Sequence, residues 1–262
     1  MKEEYTVILN YFNKSVDLMK HQLDRVFNQD SQPKCVIACF LGMSLESTHV
    51  KEYLKFIEEN NCKNWSYVIS DYNFKYIGRY QIALNVETEY IVMLDDDRIP
   101  CLSYCGGMVS FAKKSNAIIQ QYGWILKKQS NGTYSDGDGY FFTPMITPAN
   151  FYKLTGNKPY INVDYLCGGM VFHKKHLVNL FYEQLDTNIT GEDIIFCMKS
   201  KNNKIPILCY YPYLDENSDY FSNTHSFLEH KPEDTFSTLK DGKVKNGIIK
   251  ETRDFLINKY KQ

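Results

Sequence analysis

Two acidic stretches hold the residues best suited to chemistry in this chain of 262 residues. The first is Asp95, Asp96 and Asp97 in "EYIVMLDDDRIP"; the second is Glu192 and Asp193 in "TGEDIIF". Three successive carboxylates repel one another, and folding alone gives no reason to collect them. A divalent cation would offset that repulsion. In an extended segment side chains alternate, which sends Asp95 and Asp97 one way and Asp96 the other. Two carboxylates on one side suit Mg2+, which takes one or two protein carboxylates plus substrate phosphates, or Mn2+, which prefers similar oxygen ligands. A solvated turn is the plainer reading of a bare D-x-D. Here it follows an unbroken apolar run, Tyr90 to Leu94, which reads as a buried strand and strengthens the metal reading. Glu192 and Asp193 open an apolar-periodic helix. Acids in a first turn complement the helix dipole; a carboxylate placed there also suits a general base that takes a proton from a hydroxyl.

Other candidates are single residues. Asp71 follows the third expected strand and Tyr11 ends the first, so both should open into the crevice that holds the triplet. Arg79 lies early in a helix, and arginine suits phosphate or nucleotide contacts, against the plainer reading of a surface residue. Gly168 and Gly169 in "VDYLCGGMVF" permit a bulge or a close ligand approach, and Asp164 before them could hold a sugar hydroxyl. His225 in "NTHSFLEH", preferred over His230, could complete a metal shell, against the plainer reading of a solvated loop. His173 and His176 read as a solvated helix face, and "SDGDG" as turns, since it lacks the distal Glu of an EF-hand.

The first half of the chain alternates strands and helices. "TVILNYF" (6–12), "KCVIACFL" (34–41), "WSYVIS" (65–70) and "YIVML" (90–94) read as strands. Between them, 14–29 shows Val16, Met19, Leu23, Val26 and Phe27 at helical spacing; 47–61 reads as a helix capped by Ser47 or Thr48; and 75–87 reads as a third helix. This βαβαβαβ order predicts a parallel sheet with helices on its faces, and ligands then bind beyond the carboxyl ends of the strands, where the triplet falls. In the second half, 117–126 reads as a strand, 127–144 as a hairpin or loop, 161–177 as a strand broken at the paired glycines, 192–203 as a helix, 205–212 as a strand and the tail as a closing helix. The economical reading is one domain over 1–262 with two halves.

Composition excludes some functions. A net charge of −1 argues against a broad nucleic-acid surface. No run approaches the roughly 18 apolar residues of a transmembrane segment, and the N-terminus does not read as a signal peptide, which points to the cytoplasm. The eight cysteines form no C-x-x-C and read as reduced, mostly buried thiols.

Taken together, these stretches resemble the GT-A fold glycosyltransferases, most nearly family 2-like members. "YTVILNYFNKSVDLMKHQLDRVFNQ" looks like that family's first strand and helix, and "YNFKYIGRYQIALNVETEYIVMLDDDRIP" like its helix leading into the D-x-D strand. "VDYLCGGMVFHKKHL" looks like its acceptor-side strand and "GEDIIF" like its ED motif. The resemblance implies an α/β GT-A (Rossmann-like) fold, a mostly parallel central sheet flanked by helices with a smaller acceptor-side subregion. It also implies a nucleotide-sugar donor, most often a UDP-sugar, a glycan or glycoconjugate acceptor, and Mn2+ or Mg2+. Residues 1–100 would bind the donor and 101–262 the acceptor. The resemblance places Asp95 and Asp97 at ribose, diphosphate and metal with Asp96 beside them on the nucleotide. It makes Asp193, next to Glu192, the base of an inverting transfer. Asp71 and Tyr11 fall near the nucleobase or ribose, and Arg79 near the nucleotide or diphosphate. "CFLGMS" departs from the acidic residues and Gly-Ser that end the second strand in many members, and no Q-x-x-R-W occurs, which favours the addition of a single sugar. A nucleotidyltransferase would want a Gly-rich phosphate loop after the first strand, and "NYFNKSVD" has none. Intact Asp95, Asp97 and Asp193 speak against a non-catalytic glycan-binding scaffold.

Overall fold

The computed structural model describes residues 4–12, 14–128, 130–142, 158–182, 190–211, 228–230, 239–240, 243–244 and 247–261. Strands β1 (Tyr5–Asn10), β2 (Cys35–Leu41), β3 (Trp65–Ser70) and β4 (Tyr90–Asp95) are mutually parallel, with helices α1 (Val16–Phe27), α2 (Thr48–Glu59) and α3 (Gly78–Ala83) in the crossovers. The chain steps outward from β1 through β2 to β3, then returns to the other side of β1 as β4. The carboxyl ends of β1 and β4 therefore flank the switch point of the sheet, where open α/β sheets bind ligands.

Both faces of this sheet are covered, and the alternation of side chains shows it. Val7, Leu9, Val92 and Leu94 face one apolar cluster with Met19, Leu23 and Val26 of α1 and Val50, Tyr53 and Ile57 of α2. Ile8, Ile91 and Met93 face a second cluster with Tyr80 and Ala83 of α3. Burial on both faces is why β4 reads as a continuous apolar run. α1 is capped as its sequence suggests: the Ser15 hydroxyl accepts from Leu18 N–H at 3.2 Å. Ser47 caps α2 without a side-chain bond.

The second half extends the sheet and adds a smaller one. β5 (Arg98–Pro100) and α4 (Tyr104–Ser115) follow the triplet. β6 (Ile118–Gln120), β7 (Gly123–Lys128), β8 (Tyr134–Phe142), β9 (Tyr160–Asn162), β10 (Tyr165–Leu166), β11 (Gly169–His173) and β12 (Ile207–Tyr210) complete the two sheets. The main sheet runs β3-β2-β1-β4-β11-β6-β12-β9, with β11 antiparallel to both its neighbours, and β10-β7-β8 form the second sheet. Helix α5 (Val178–Phe181) is short; α6 (Glu192–Asn202) and α7 (Gly247–Tyr260) pack together on the α3 side. β13 (Leu228–His230) pairs with β5.

The structure corrects several sequence expectations. The single strand expected over 117–126 is two, β6 and β7, in different sheets; Gly123 opens the second where a Cβ would lie 2.7 Å from Cys209 Sγ. The segment 161–177 likewise divides into β9, with its first residue at Tyr160, β10 and β11. α3 ends at Ala83 and is preceded by a 3-10 turn at Lys75–Ile77, shorter than the helix expected over 75–87. α4 has no counterpart in the sequence reading. Gly106 and Gly107 weaken its helical signal, and it is buried on most of its surface, so no polar stripe marks it. His176 is buried rather than solvated; burial, then the charge of Lys175, pushes its pKa down to about 4. All eight cysteines are free thiols, and among the described residues no helix is long and apolar enough to cross a membrane.

Candidate active site

β4 ends at Asp95, and Asp96 and Asp97 form the turn into β5. Strand alternation stops there, so a shared side for Asp95 and Asp97 does not follow from strand geometry. Instead each carboxylate meets a cation from a different element. Asp95 Oδ1 is ion-paired with Arg79 Nη1, and Arg79 Nη2 lies 3.0 Å from Glu192 Oε1. Lys14 Nζ stands 3.8 Å from Asp96 Oδ1, and Phe12 N–H donates to Asp96 Oδ2 at 3.3 Å. Arg98 Nε lies 3.3 Å from Asp97 Oδ1, an ion pair rather than a hydrogen bond. The chain's own bases therefore offset part of the repulsion that the sequence alone assigns to a metal.

The turn is also held by its backbone. Gln22, wholly buried in the apolar stripe of α1, donates through Nε2 to Asp95 O at 2.7 Å and to Arg98 O at 2.6 Å. One side-chain amide thus spans the whole acidic turn. Paired glycines shape its other side. Gly168 has φ +78 and Gly169 φ +98, conformations that favour glycine. A Cβ on Gly169 would lie 2.2 Å from Met93 O, and one on Gly168 would lie 2.6 Å from Arg98 Nε and Nη2. The close approach is thus made by the chain's own backbone and by Arg98.

The second acidic stretch reaches the same place through Arg79. Gly191 caps α6 at φ +88, a conformation that favours glycine, and a Cβ there would also meet Leu256 Cδ1 of α7 at 2.4 Å. Glu192 and Asp193 occupy the first turn, both buried. Arg253 Nη1 lies 3.7 Å from Asp193 Oδ2. Arg79, 3% exposed, joins the end of β4 to the start of α6.

Asp95, Asp96, Asp97, Glu192 and Asp193 face Lys14, Arg79, Arg98 and Arg253, which leaves acid in excess among the described residues. Burial, against the partial relief of Lys14 and with the added charges of Asp97 and Asp95, pushes Asp96 up to about 7. Burial and Asp193 push Glu192 up to about 7. At the same time Arg79 Nε and Arg98 Nη1 are buried with no hydrogen-bond partner among the described residues. Surplus carboxylate oxygen beside unused guanidinium donors fits a divalent cation that arrives with an anion such as a diphosphate. Among the described residues no three His, Cys, Asp or Glu side chains cluster as a cage that would hold a metal alone.

The remaining candidates separate. Asp71 is exposed just beyond β3, three strand spacings from β4, or about 14 Å across the sheet. Tyr11 is wholly buried; it packs on Phe40 (5.7 Å between centroids) and edge-on to Tyr53 (5.1 Å), so its ring belongs to the core and not to the crevice. Asp164 is not available to a sugar: it is ion-paired with Lys201 at 2.6 Å and with Lys261, and accepts from Leu126 N–H at 2.7 Å. His225 lies outside the described residues. Sequence reasoning missed Lys14, Gln22, Arg98 and Arg253. Gln22 left a signal, a polar residue in an apolar helical stripe, and Arg98 directly follows the triplet.

No protein-family model matches the chain, and no curated protein matches it by sequence. Among solved structures it is similar to a crystal structure of GalNAc-T7 with UDP, GalNAc and Mn2+, with a TM-score of 0.57 and 13% identity. The match covers 78% of this chain and 41% of that one, so the chain spans about two fifths of the length of the protein it resembles. At that identity the likeness is one of architecture, and together with the parallel sheet, its switch point and the helices on both faces it establishes that this chain has the GT-A fold.

Proposed function

We propose that the chain is a metal-dependent glycosyltransferase that moves a sugar from a nucleoside diphosphate donor, a UDP-sugar, to a hydroxyl of a glycan or glycoconjugate acceptor. One observation carries the reading: the half-buried carboxylates of Asp95, Asp96 and Asp97 gather at the sheet's switch point, and Arg79 joins them to a second, buried acidic pair at a helix start. Residues 1–100 form the donor half and 101–262 the acceptor half of one domain. Asp95 and Asp97 would hold Mn2+ or Mg2+ together with the diphosphate, and the exposed Asp71 would meet the nucleoside. The ion, when bound, neutralises charge that builds on the departing diphosphate.

The chain's own residues do the rest. Arg79 fixes Asp95 and places a buried positive charge beside the leaving group. Asp193 takes the proton of the acceptor hydroxyl as that oxygen bonds to the anomeric carbon. The bond from that carbon to the diphosphate oxygen breaks, its electron pair leaves with the diphosphate, and configuration inverts. One sugar is added per encounter. The test is release of UDP from a panel of UDP-sugars with Mn2+, with and without chelator. Metal-dependent release that Asp193→Asn suppresses, while Mn2+-dependent UDP binding survives, supports the reading. Full turnover in Asp193→Asn removes that residue from its role.

A further inference from the structure

We propose that Arg98 is a positioning residue that fixes the Asp97 carboxylate for the metal, and that Gly168 is the notch cut for its guanidinium. The inference rests on the donor-site reading above. Arg98 is 8% exposed, and three separate elements converge on it. Asp97 Oδ1 lies 3.3 Å from its Nε. The ring of Tyr122, between β6 and β7, lies under the guanidinium carbon at 4.1 Å from the ring centroid. Gly168, between β10 and β11, has a backbone that would carry a Cβ 2.6 Å from both Nε and Nη2. The backbone of Arg98 is fixed as well, since its carbonyl accepts from Gln22.

The Tyr122 face and the Asp97 carboxylate both serve the planar group itself, and Gly168, already favoured by its φ of +78, leaves the space that the group fills. A buried guanidinium is costly to desolvate, and an aromatic face with one adjacent carboxylate offsets part of that cost. A carboxylate in a turn has several rotamers open to it. A fixed planar cation beside one oxygen removes that freedom and sets the direction of the group. Metal sites commonly hold their ligands by such outer partners. Arg98 also ties the two halves together: it carries Asp97 of the donor half on a platform made by Tyr122 and Gly168 of the acceptor half.

The test measures Mn2+ uptake with UDP present, read from the electron paramagnetic resonance signal of the free ion. Arg98→Met should weaken Mn2+ binding by about 10- to 100-fold. Arg98→Lys keeps the charge without the planar fork, and should fall between the wild type and Arg98→Met. Gly168→Ala should weaken Mn2+ binding through the displaced guanidinium, and the double variant Gly168→Ala, Arg98→Met should be no weaker than the worse single one. The melting midpoint in EDTA separates folding from positioning: Arg98→Lys should hold its midpoint while it loses Mn2+ affinity. If Arg98→Met does not fold, Arg98→Lys and Gly168→Ala decide the matter. Wild-type Mn2+ affinity in a folded Arg98 variant overturns the inference, as does a double variant whose loss is the product of the two single losses. A wild-type chain that takes up no Mn2+ with UDP overturns the donor-site reading itself, and the inference with it.

Discussion

Asp96, half-buried, and Asp164, buried, are both aspartates next to strands, yet the structure treats them in opposite ways. Around Asp164, burial alone would raise the pKa, but hydrogen bonds from Lys201 and Lys261 and from Leu126 N–H outweigh it and hold the group below its ordinary value. Around Asp96, burial dominates; Lys14 stands at 3.8 Å, Asp95 and Asp97 add like charge, and the group is pushed up to about 7. The first carboxylate is satisfied by the fold. The second is left short of positive charge by the same fold, and the shortfall extends to Glu192 across Arg79. A satisfied acid ties elements together, here α6 and α7 to the small sheet. Perturbed acids gathered at the carboxyl ends of sheet strands are where chemistry is to be sought.

The contrast can be broken at several points. The largest effect belongs to Asp193: in a transfer assay Asp193→Asn should lower turnover by about 10²- to 10⁴-fold, the usual worth of a general base, and leave the affinity for UDP with Mn2+ little changed. Asp164→Ala should do the reverse. It strands Lys201 and Lys261 beside a buried gap and should lower unfolding stability by about 1–3 kcal/mol, at the lower end because Lys201 is partly screened by solvent, as urea denaturation would show. UDP binding should be unaffected by it. If Asp164→Ala instead abolishes UDP binding in a folded protein, the division between the two acids is wrong.

The pH dependence of stability gives a smaller effect. The folded-state pKa of Asp96 stands above its unfolded value, so the native state holds the proton more tightly. The resulting stabilisation is complete below about pH 4, the ordinary carboxylate value, and is lost as pH rises through about 7. In EDTA, wild type should therefore lose stability relative to Asp96→Asn between pH 5 and pH 8. Urea denaturation of both proteins at the two pH values measures it, and the paired design cancels the opposing acid loss that buried His176 brings. A gap between the two proteins that does not change with pH would show that Asp96 is as well satisfied as Asp164.

Much of the first half of the chain is legible because its signals are local. An unbroken apolar run marks a strand covered on both faces, and β3 and β4 fall within a residue of where the pattern puts them. The triplet is visible because three acids after such a run are unusual. What defeated the reading was what folding brings together from afar. The cations on the triplet come from residues 14, 79 and 98, and no spacing rule pairs Lys14 with Asp96 or Gly168 with Arg98. Tyr11 sits one residue past a strand end, where it could as well face the crevice as the core, and its packing on Phe40 and Tyr53 decided that. α4 was missed because a helix buried on most sides and interrupted by two glycines shows no amphipathic period.

On the proposed function, a divalent ion and a nucleoside diphosphate together complete the acidic turn at the end of β4. Calorimetric titration of UDP into the metal-free protein, with and without Mn2+, tests it most directly. Saturable binding with Mn2+ that EDTA removes and that Asp97→Ala abolishes is the expected result. UDP binding of equal strength with and without the metal, or none under either condition, would contradict it.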